Sequence, residues 1–464
     1  MSEEMKLRKE QVLATARNGY DRVEEAELSA VEAYCAGYKK YLDGGKTERL
    51  CLKESVALAE AAGFRPLDRT KPVHRGDRVY FANRGKELLL AVIGEKPLDQ
   101  GCHIAAAHID SPRLDLKPVP LYEDSELAYC KTHYYGGIRK YQWVTVPLEL
   151  RGVVMRRDGT AVEVTLGEGD EPKLVITDLL PHLGAEQGKK PLNEAVPGEN
   201  LNILIGSRPV GEEGESDRVK LHVMELLHKK YGITEWDFAS AELEAVPAYR
   251  ATDIGIDASL IGAYGQDDRV CAYAALRALL DLGTPEVTAV CVLADKEEIG
   301  SMGVTGMQSA AFDTFMEELC QAQGVSLRAC YENAFCLSAD VTAAYDPLYS
   351  EAYDKRNVAR VNYGVGLCKY TGARGKSGAS DASAETVSFV RRTLDEHNIL
   401  WQIGEMGKVD LGGGGTVAQY MANRNITTLD AGVPVLSMHA PFEVVGKLDC
   451  YMTYRACRAI YEAK

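Results

Sequence analysis

What most restricts the fold of this chain is a set of short apolar runs of strand length, at residues 88–93, 103–109, 287–294, 334–338 and 433–438. Runs so short and so uniformly apolar suit strands buried on both faces, because a half-exposed strand alternates apolar with polar residues. Helical stretches separate the later runs, as at 268–282 and 382–394. Strands alternating with helices point to an α/β sheet covered on both faces. Roughly the first 65 residues carry helical patterning instead, as in the spacing of Val31, Tyr34, Tyr38 and Tyr41.

The middle of the chain reads differently. From Pro118 to Val246 it opens with the Tyr/Gly/Trp-rich piece HYYGGIRKYQWVTVPLEL and continues through alternating runs at 161–166 and 173–177. This β-rich block interrupts the α/β pattern and is expected to be an inserted domain at 118–246, between catalytic parts at 1–117 and 247–464. The alternative is extra sheet within one large domain. A chain of 464 residues exceeds the size at which a single core stops growing.

Charge and composition exclude several functions. A net charge of −15 argues against nucleic-acid or anionic-membrane partners, which need a basic face. No stretch approaches the apolar length of a membrane span, and the start, MSEEMKLRKEQVLATARN, has no apolar signal region. The 12 cysteines are scattered without a C-x-x-C pair, so they read as reduced thiols of a cytoplasmic protein, not as zinc knuckles or a disulfide framework.

The residues with chemical capacity stand just past the apolar runs. His108 and Asp110 come after IAAA, Glu297 and Glu298 after TAVCVLADK, Asp340 after AFCLSA, and His439 after GVPVLSM. Each lies at the C-terminal end of an expected strand, the edge where open α/β sheets bind ligands. Histidine and carboxylate donors without thiolate match a hydrolytic zinc, cobalt or manganese site. So many donors with only two histidines exceed one open tetrahedral zinc and suit two ions sharing a bridging carboxylate. One carboxylate must stay off the metals to take a water proton, and the Glu-Glu pair can supply both base and ligand.

In order, AAHIDSPRL, GQDDRV, LADKEEIGSMG, SADVTAAYDPLY, GGGGTVAQYMA and LSMHAPFE resemble the aspartyl aminopeptidase family of dinuclear zinc metallopeptidases, from about Arg69 onward. The resemblance implies His108, Asp267, Glu298, Asp340 and His439 as metal ligands, with Asp267 bridging and Asp268 as the alternative bridge. It implies Glu297 as general base and Asp110 as the carboxylate orienting His108. It also implies a zinc-peptidase α/β/α catalytic domain interrupted by a β-rich dimerisation domain, and assembly of the chain into a dodecamer of dimers. His182, in DLLPHLG, stands where the family sends a histidine into the neighbouring subunit's site.

The substrates so implied are short peptides, cleaved after a first residue that is Asp or Glu. Specificity is attributed to a pocket lysine, and Lys369 in GLCKYTGARGKSG comes after a strand-like run that would place it at the ligand edge. GARGKSG is not a phosphate loop, because Tyr370 stands where that motif needs glycine. The run Gly412, Gly413, Gly414 and Gly415 reads as backbone that approaches the substrate closely. Two alternatives remain at this level: a dinuclear N-acyl amino acid deacetylase or carboxypeptidase, and a catalytically silent oligomeric scaffold.

Overall fold

The computed structural model describes residues 3–14 and 16–464. Its centre is a nine-stranded sheet in the order Arg65–Pro66, Arg78–Asn83, Glu87–Val92, Thr288–Ala294, Cys102–His108, Phe335–Ser338, Thr427–Gly432, Val365–Cys368, Trp401–Ile403. The four strands from Thr288–Ala294 to Thr427–Gly432 run parallel, so their C-terminal ends share one edge.

Alternate residues of these strands enter two separate cores. Ala105, Ala107, Cys291 and Leu293 face one, with helices Glu25–Gly44, Glu48–Ala61, Gln266–Leu280 and Lys447–Glu462. Ile104, Ala106, Val290 and Val292 face the other, with helices Ala311–Gln323 and Leu327–Glu332. Apolar burial on both faces is why these strands are continuous hydrophobic runs. In the first core, Tyr34, Tyr38 and Tyr41 of one N-terminal helix pack around Tyr273.

The β-rich middle forms a six-stranded antiparallel sheet with its own core, which includes Leu114, Trp143, Leu150, Val223 and Leu243. Helix Arg218–Tyr231 contributes to that core. Its first strand, Arg113–Asp124, begins ahead of residue 118, and its strand Ala241–Pro247 ends just beyond 246. Pro118 and Pro120 look like a break in the sequence, but the strand absorbs them where its register shifts between Leu116 and Leu121.

Two expectations about strands are corrected. The run at 433–438 does not belong to the large sheet. Pro434–Leu436 pairs instead in a third, five-stranded sheet, and the large sheet uses Thr427–Gly432, whose mixed TTLDAG pattern gives no apolar run. The strand before Lys369, Val365–Cys368, runs antiparallel to Thr427–Gly432, pairing Gly366 with Gly432 and Cys368 with Asp430. Its C-terminal end therefore points away from the edge that carries the ligand candidates. All 12 cysteines are free and buried. Among the described residues, no helix is long and apolar enough to cross a membrane.

Candidate active site

Three of the four parallel strands deliver polar residues at or just past their last paired positions. Cys102–His108 ends on His108, with Asp110 two residues on. Thr288–Ala294 leads into the helical turn Glu297–Ile299, and Phe335–Ser338 precedes Asp340. Asp267 comes from elsewhere, at the start of the buried helix Gln266–Leu280. His439 lies in the tight connection between Pro434–Leu436 and Glu443–Gly446.

These residues converge on two groups of donors. His108, Asp267 and Asp340 each offer a ligand atom within 4.8 Å of the others, and so do Asp267, Glu298 and His439. Asp267 is common to both, with Oδ1 3.3 Å from His108 Nε2 and Oδ2 3.2 Å from His439 Nε2. Asp268 belongs to neither group; its Oδ2 accepts the main-chain N–H of His108 at 3.2 Å. Glu297 also stands outside both, its Oε2 3.8 Å from His108 Nε2.

Both imidazoles are held from behind. His108 Nδ1 lies 3.3 Å from Asp110 Oδ1 and 3.1 Å from the Asp110 carbonyl oxygen. Asp110 also accepts the N–H groups of Glu297 and Glu298 and, at 2.7 Å, the hydroxyl of Tyr135. His439 Nδ1 donates to the Gly137 carbonyl at 2.8 Å. With each Nδ1 occupied in this way, each Nε2 is the nitrogen turned toward Asp267, the arrangement expected of metal-ligating histidines.

A buried carboxylate that the sequence motifs do not single out ties two of these loops together. Glu443, 1% exposed, accepts from Gln266 N at 2.7 Å, Asp267 N at 3.1 Å and His439 N at 2.7 Å. It fixes the main chain of the shared aspartate and of one histidine. Its only sequence signal is its place in LSMHAPFE, four residues after His439. Tyr135 and Gly137 are likewise absent from the sequence-derived site, and HYYGGI stands out there by composition alone.

The electrostatics call for cations. Seven carboxyl groups crowd this region (Asp110, Asp267, Asp268, Glu297, Glu298, Asp340 and Glu443) against two imidazoles. Burial, reinforced by neighbouring carboxylates, raises Glu298 and Asp340 well above the usual carboxylate range, Glu297 to about 7 and Glu443 to about 8. Burial alone would lower His439, but its bond to Asp267 and the charge of Glu298 lift it to about 10. Buried Glu298 Oε1 has no hydrogen-bond partner. Even with His439 Nε2 3.5 Å from that oxygen, so many buried carboxylates together are costly, and positive charge between them relieves that cost. Histidine and carboxylate donors without thiolate, in two groups sharing one aspartate, fit a pair of divalent ions of the zinc type.

A cavity of about 150 Å³ adjoins this cluster, lined by Asp340, Tyr370, Arg374, Lys376, Lys408 and Asp430 among others. Lys369 is not among its lining residues; its side chain is half exposed and lies 4.0 Å from Asp381. The tetraglycine run approaches its own chain closely, since a Cβ on Gly412 would meet the Met406 carbonyl oxygen at 1.6 Å and one on Gly413 that of Gly372 at 2.2 Å. Its lack of side chains is thus needed to pack two loops, and Gly412 and Gly414 also line the cavity. His182 lies on the exposed turn Pro181–Leu183, outside the donor cluster of its own chain.

The sequence profile of the aminopeptidase I zinc metalloprotease (M18) family matches residues 41–461. The chain is 45% identical over 451 residues to a probable M18 family aminopeptidase 1 of Clostridium acetobutylicum, covering 95% of this chain and 97% of that one. The crystal structure of an M18 family aminopeptidase from Thermotoga maritima superposes with a TM-score of 0.93 at 42% identity, covering 97% of this chain and 99% of the other. The more distant Saccharomyces cerevisiae mApe1 dodecamer, 20% identical, shares the fold with a TM-score of 0.76 over 94% of this chain and 97% of its own.

Proposed function

The chain belongs to the aminopeptidase I zinc metalloprotease (M18) family and is a zinc aminopeptidase; from that premise we propose that it removes Asp or Glu from the N-termini of short peptides, using two ions that share Asp267. The observation that carries the two-ion reading is the membership of Asp267 in both donor groups. His108 and Asp340 complete one group, Glu298 and His439 the other. The ions, when bound, supply a water of lowered pKa and positive charge facing the developing oxyanion.

The chain's own groups do the rest. Glu297, held by its main-chain N–H on Asp110 and outside both groups, takes the water proton and passes it to the leaving amine. Asp110 keeps the His108 ring turned so that Nε2 stays free, and the Gly137 carbonyl does the same for His439. Zinc is the metal of the family, with cobalt or manganese as substitutes that the same donors accept.

An acidic side chain entering a partly desolvated pocket loses hydration, so a positive partner must offset that loss. The segment carrying Lys369 supplies candidates. Arg374 lines the cavity that Asp340 also lines and, among the described residues, has no ion pair. Lys369 is the cation of the family motif, and its long side chain starts one residue from cavity-lining Cys368 and Tyr370. Replacing the cation that meets the substrate, in Lys369→Leu or Arg374→Leu, is expected to lower kcat/KM for Asp peptides by about 10–100-fold, the scale of one charge-assisted hydrogen bond. Leu and Met peptides should be cleaved as before. A wild type that cleaves Leu peptides faster than Asp peptides would end the acidic reading and leave the aminopeptidase assignment untouched.

Assembly follows from the inserted block, 118–246, read as a dimerisation domain within a dodecamer of dimers. Leu179, Leu180, Leu183 and Leu192, near His182 in the sequence, are exposed, apolar side chains of the kind that interfaces cover. In that reading His182 reaches the neighbouring subunit's site. Light scattering should find a large homo-oligomer, and active monomers would sink both the assembly and the role of His182.

A further inference from the structure

One strand of the six-stranded sheet ends inside the donor cluster of the same chain. Strand Leu127–Tyr135 delivers three consecutive residues there. The Tyr135 hydroxyl donates to Asp110 Oδ2 at 2.7 Å. Gly136, at φ +73°, passes so close to Glu298 that a Cβ would meet Oε2 at 3.2 Å and the Glu298 Cβ at 3.3 Å. The Gly137 carbonyl accepts from His439 Nδ1 at 2.8 Å.

We propose that the turn formed by Tyr135, Gly136 and Gly137 is a positioning element of the metal centre, its two glycines acting on the donor group Asp267, Glu298 and His439 and its tyrosine on Asp110. This role rests on the two-ion reading of the site and on three features of the turn.

First, the turn is anchored at Tyr135. The Arg113 guanidinium stacks 3.8 Å from the Tyr135 ring centroid and is itself held by Asp115 at 2.8 Å, Glu244 at 3.2 Å and Glu48 at 3.5 Å. Second, its glycine contacts are selective. Gly136 lies against Glu298 and Gly137 binds His439, both of one donor group, whereas Tyr135 reaches Asp110, which also holds His108 of the other group. Third, the contacts have chemical consequences. The Gly137 carbonyl accepts a hydrogen bond from Nδ1–H of His439 and so leaves Nε2 as the ligand atom facing Asp267. The hydroxyl of Tyr135 supports Asp110, which in turn holds the main-chain N–H groups of Glu297 and Glu298. A methyl group at 136 would oppose the positive φ and press on Glu298 at once.

The inserted block therefore serves its own chain's chemistry as well as any partner's. The test is Gly136→Ala, with metal per chain measured by elemental analysis after gel filtration and assembly followed by light scattering. We expect two ions in the wild type and about one in the variant, with assembly unchanged. Tyr135→Phe, which removes only the hydroxyl, should hold metal about 10-fold less tightly, at the low end for outer partners of metal ligands, with KM unchanged. Wild-type metal content and affinity in both variants would overturn the proposal, as would loss of both ions together with assembly. If Gly136→Ala fails to assemble, Tyr135→Phe decides alone: weaker binding in an intact particle supports the turn, and unchanged binding removes it. A wild type with a single ion would end the two-ion reading only; the turn would then stand or fall on whether either variant weakens that ion.

Discussion

Glu297→Gln is expected to lower kcat by about 10²–10⁴-fold or more, the usual cost of losing a general base, while metal content and assembly stay at wild-type levels. The motive is the position of the residue. Glu297 and Glu298 are neighbours in sequence, and both have their N–H groups on Asp110. Their side chains part company there. Glu298 joins Asp267 and His439, whereas Glu297 enters neither donor group and lies beside His108 at 3.8 Å. Burial lifts its carboxyl to about 7. Positive charge bound in the cluster lowers that value again and favours the carboxylate that can accept a proton. Glutamine keeps the shape and loses the proton acceptor, so the defect should appear in kcat more than in KM. Loss of metal along with activity would exchange the roles of Glu297 and Glu298.

That much of the site is legible in the sequence because several of its loops come after strands whose burial on both sides leaves an unmistakable apolar run. His108, Asp110, Glu297, Glu298 and Asp340 sit just past such runs, and the parallel register brings those ends together. His439 is legible for a reason that only half holds, since the run before it belongs to the third sheet. Asp267 has no strand of the large sheet before it. In GQDDRV it looks like any acidic residue at a helix start, where the dipole favours negative charge, and only the family resemblance singles it out. Lys369 shows the opposite error. A run of strand character is visible, but strand direction is not a property of a run, and Val365–Cys368 points the other way. Glu443 and the 135–137 turn act largely through main-chain amides and a carbonyl, which leave no side-chain pattern to read.

Asp267→Ala should remove both ions, an effect no other single ligand change should match. Its two carboxylate oxygens face different imidazoles, Oδ1 toward His108 and Oδ2 toward His439. Every other donor belongs to one group only. Asp340→Ala should therefore leave one ion in place, and so should His439→Ala. Loss of the shared carboxylate takes a ligand from each ion at once and lets their positive charges face each other without the negative group between them. Each affinity should fall beyond the roughly 10–100-fold seen when only an outer partner of a ligand is lost. Asp268→Ala is the necessary contrast. Asp268 is fully buried and supports the main-chain N–H of His108, but it stands outside both donor groups, so its loss should weaken binding without abolishing it. Elemental analysis of the three aspartate variants separates the cases. Two ions retained in Asp267→Ala, with both lost in Asp268→Ala, would move the bridge to Asp268 and require the loop at 266–268 to rearrange when metal binds.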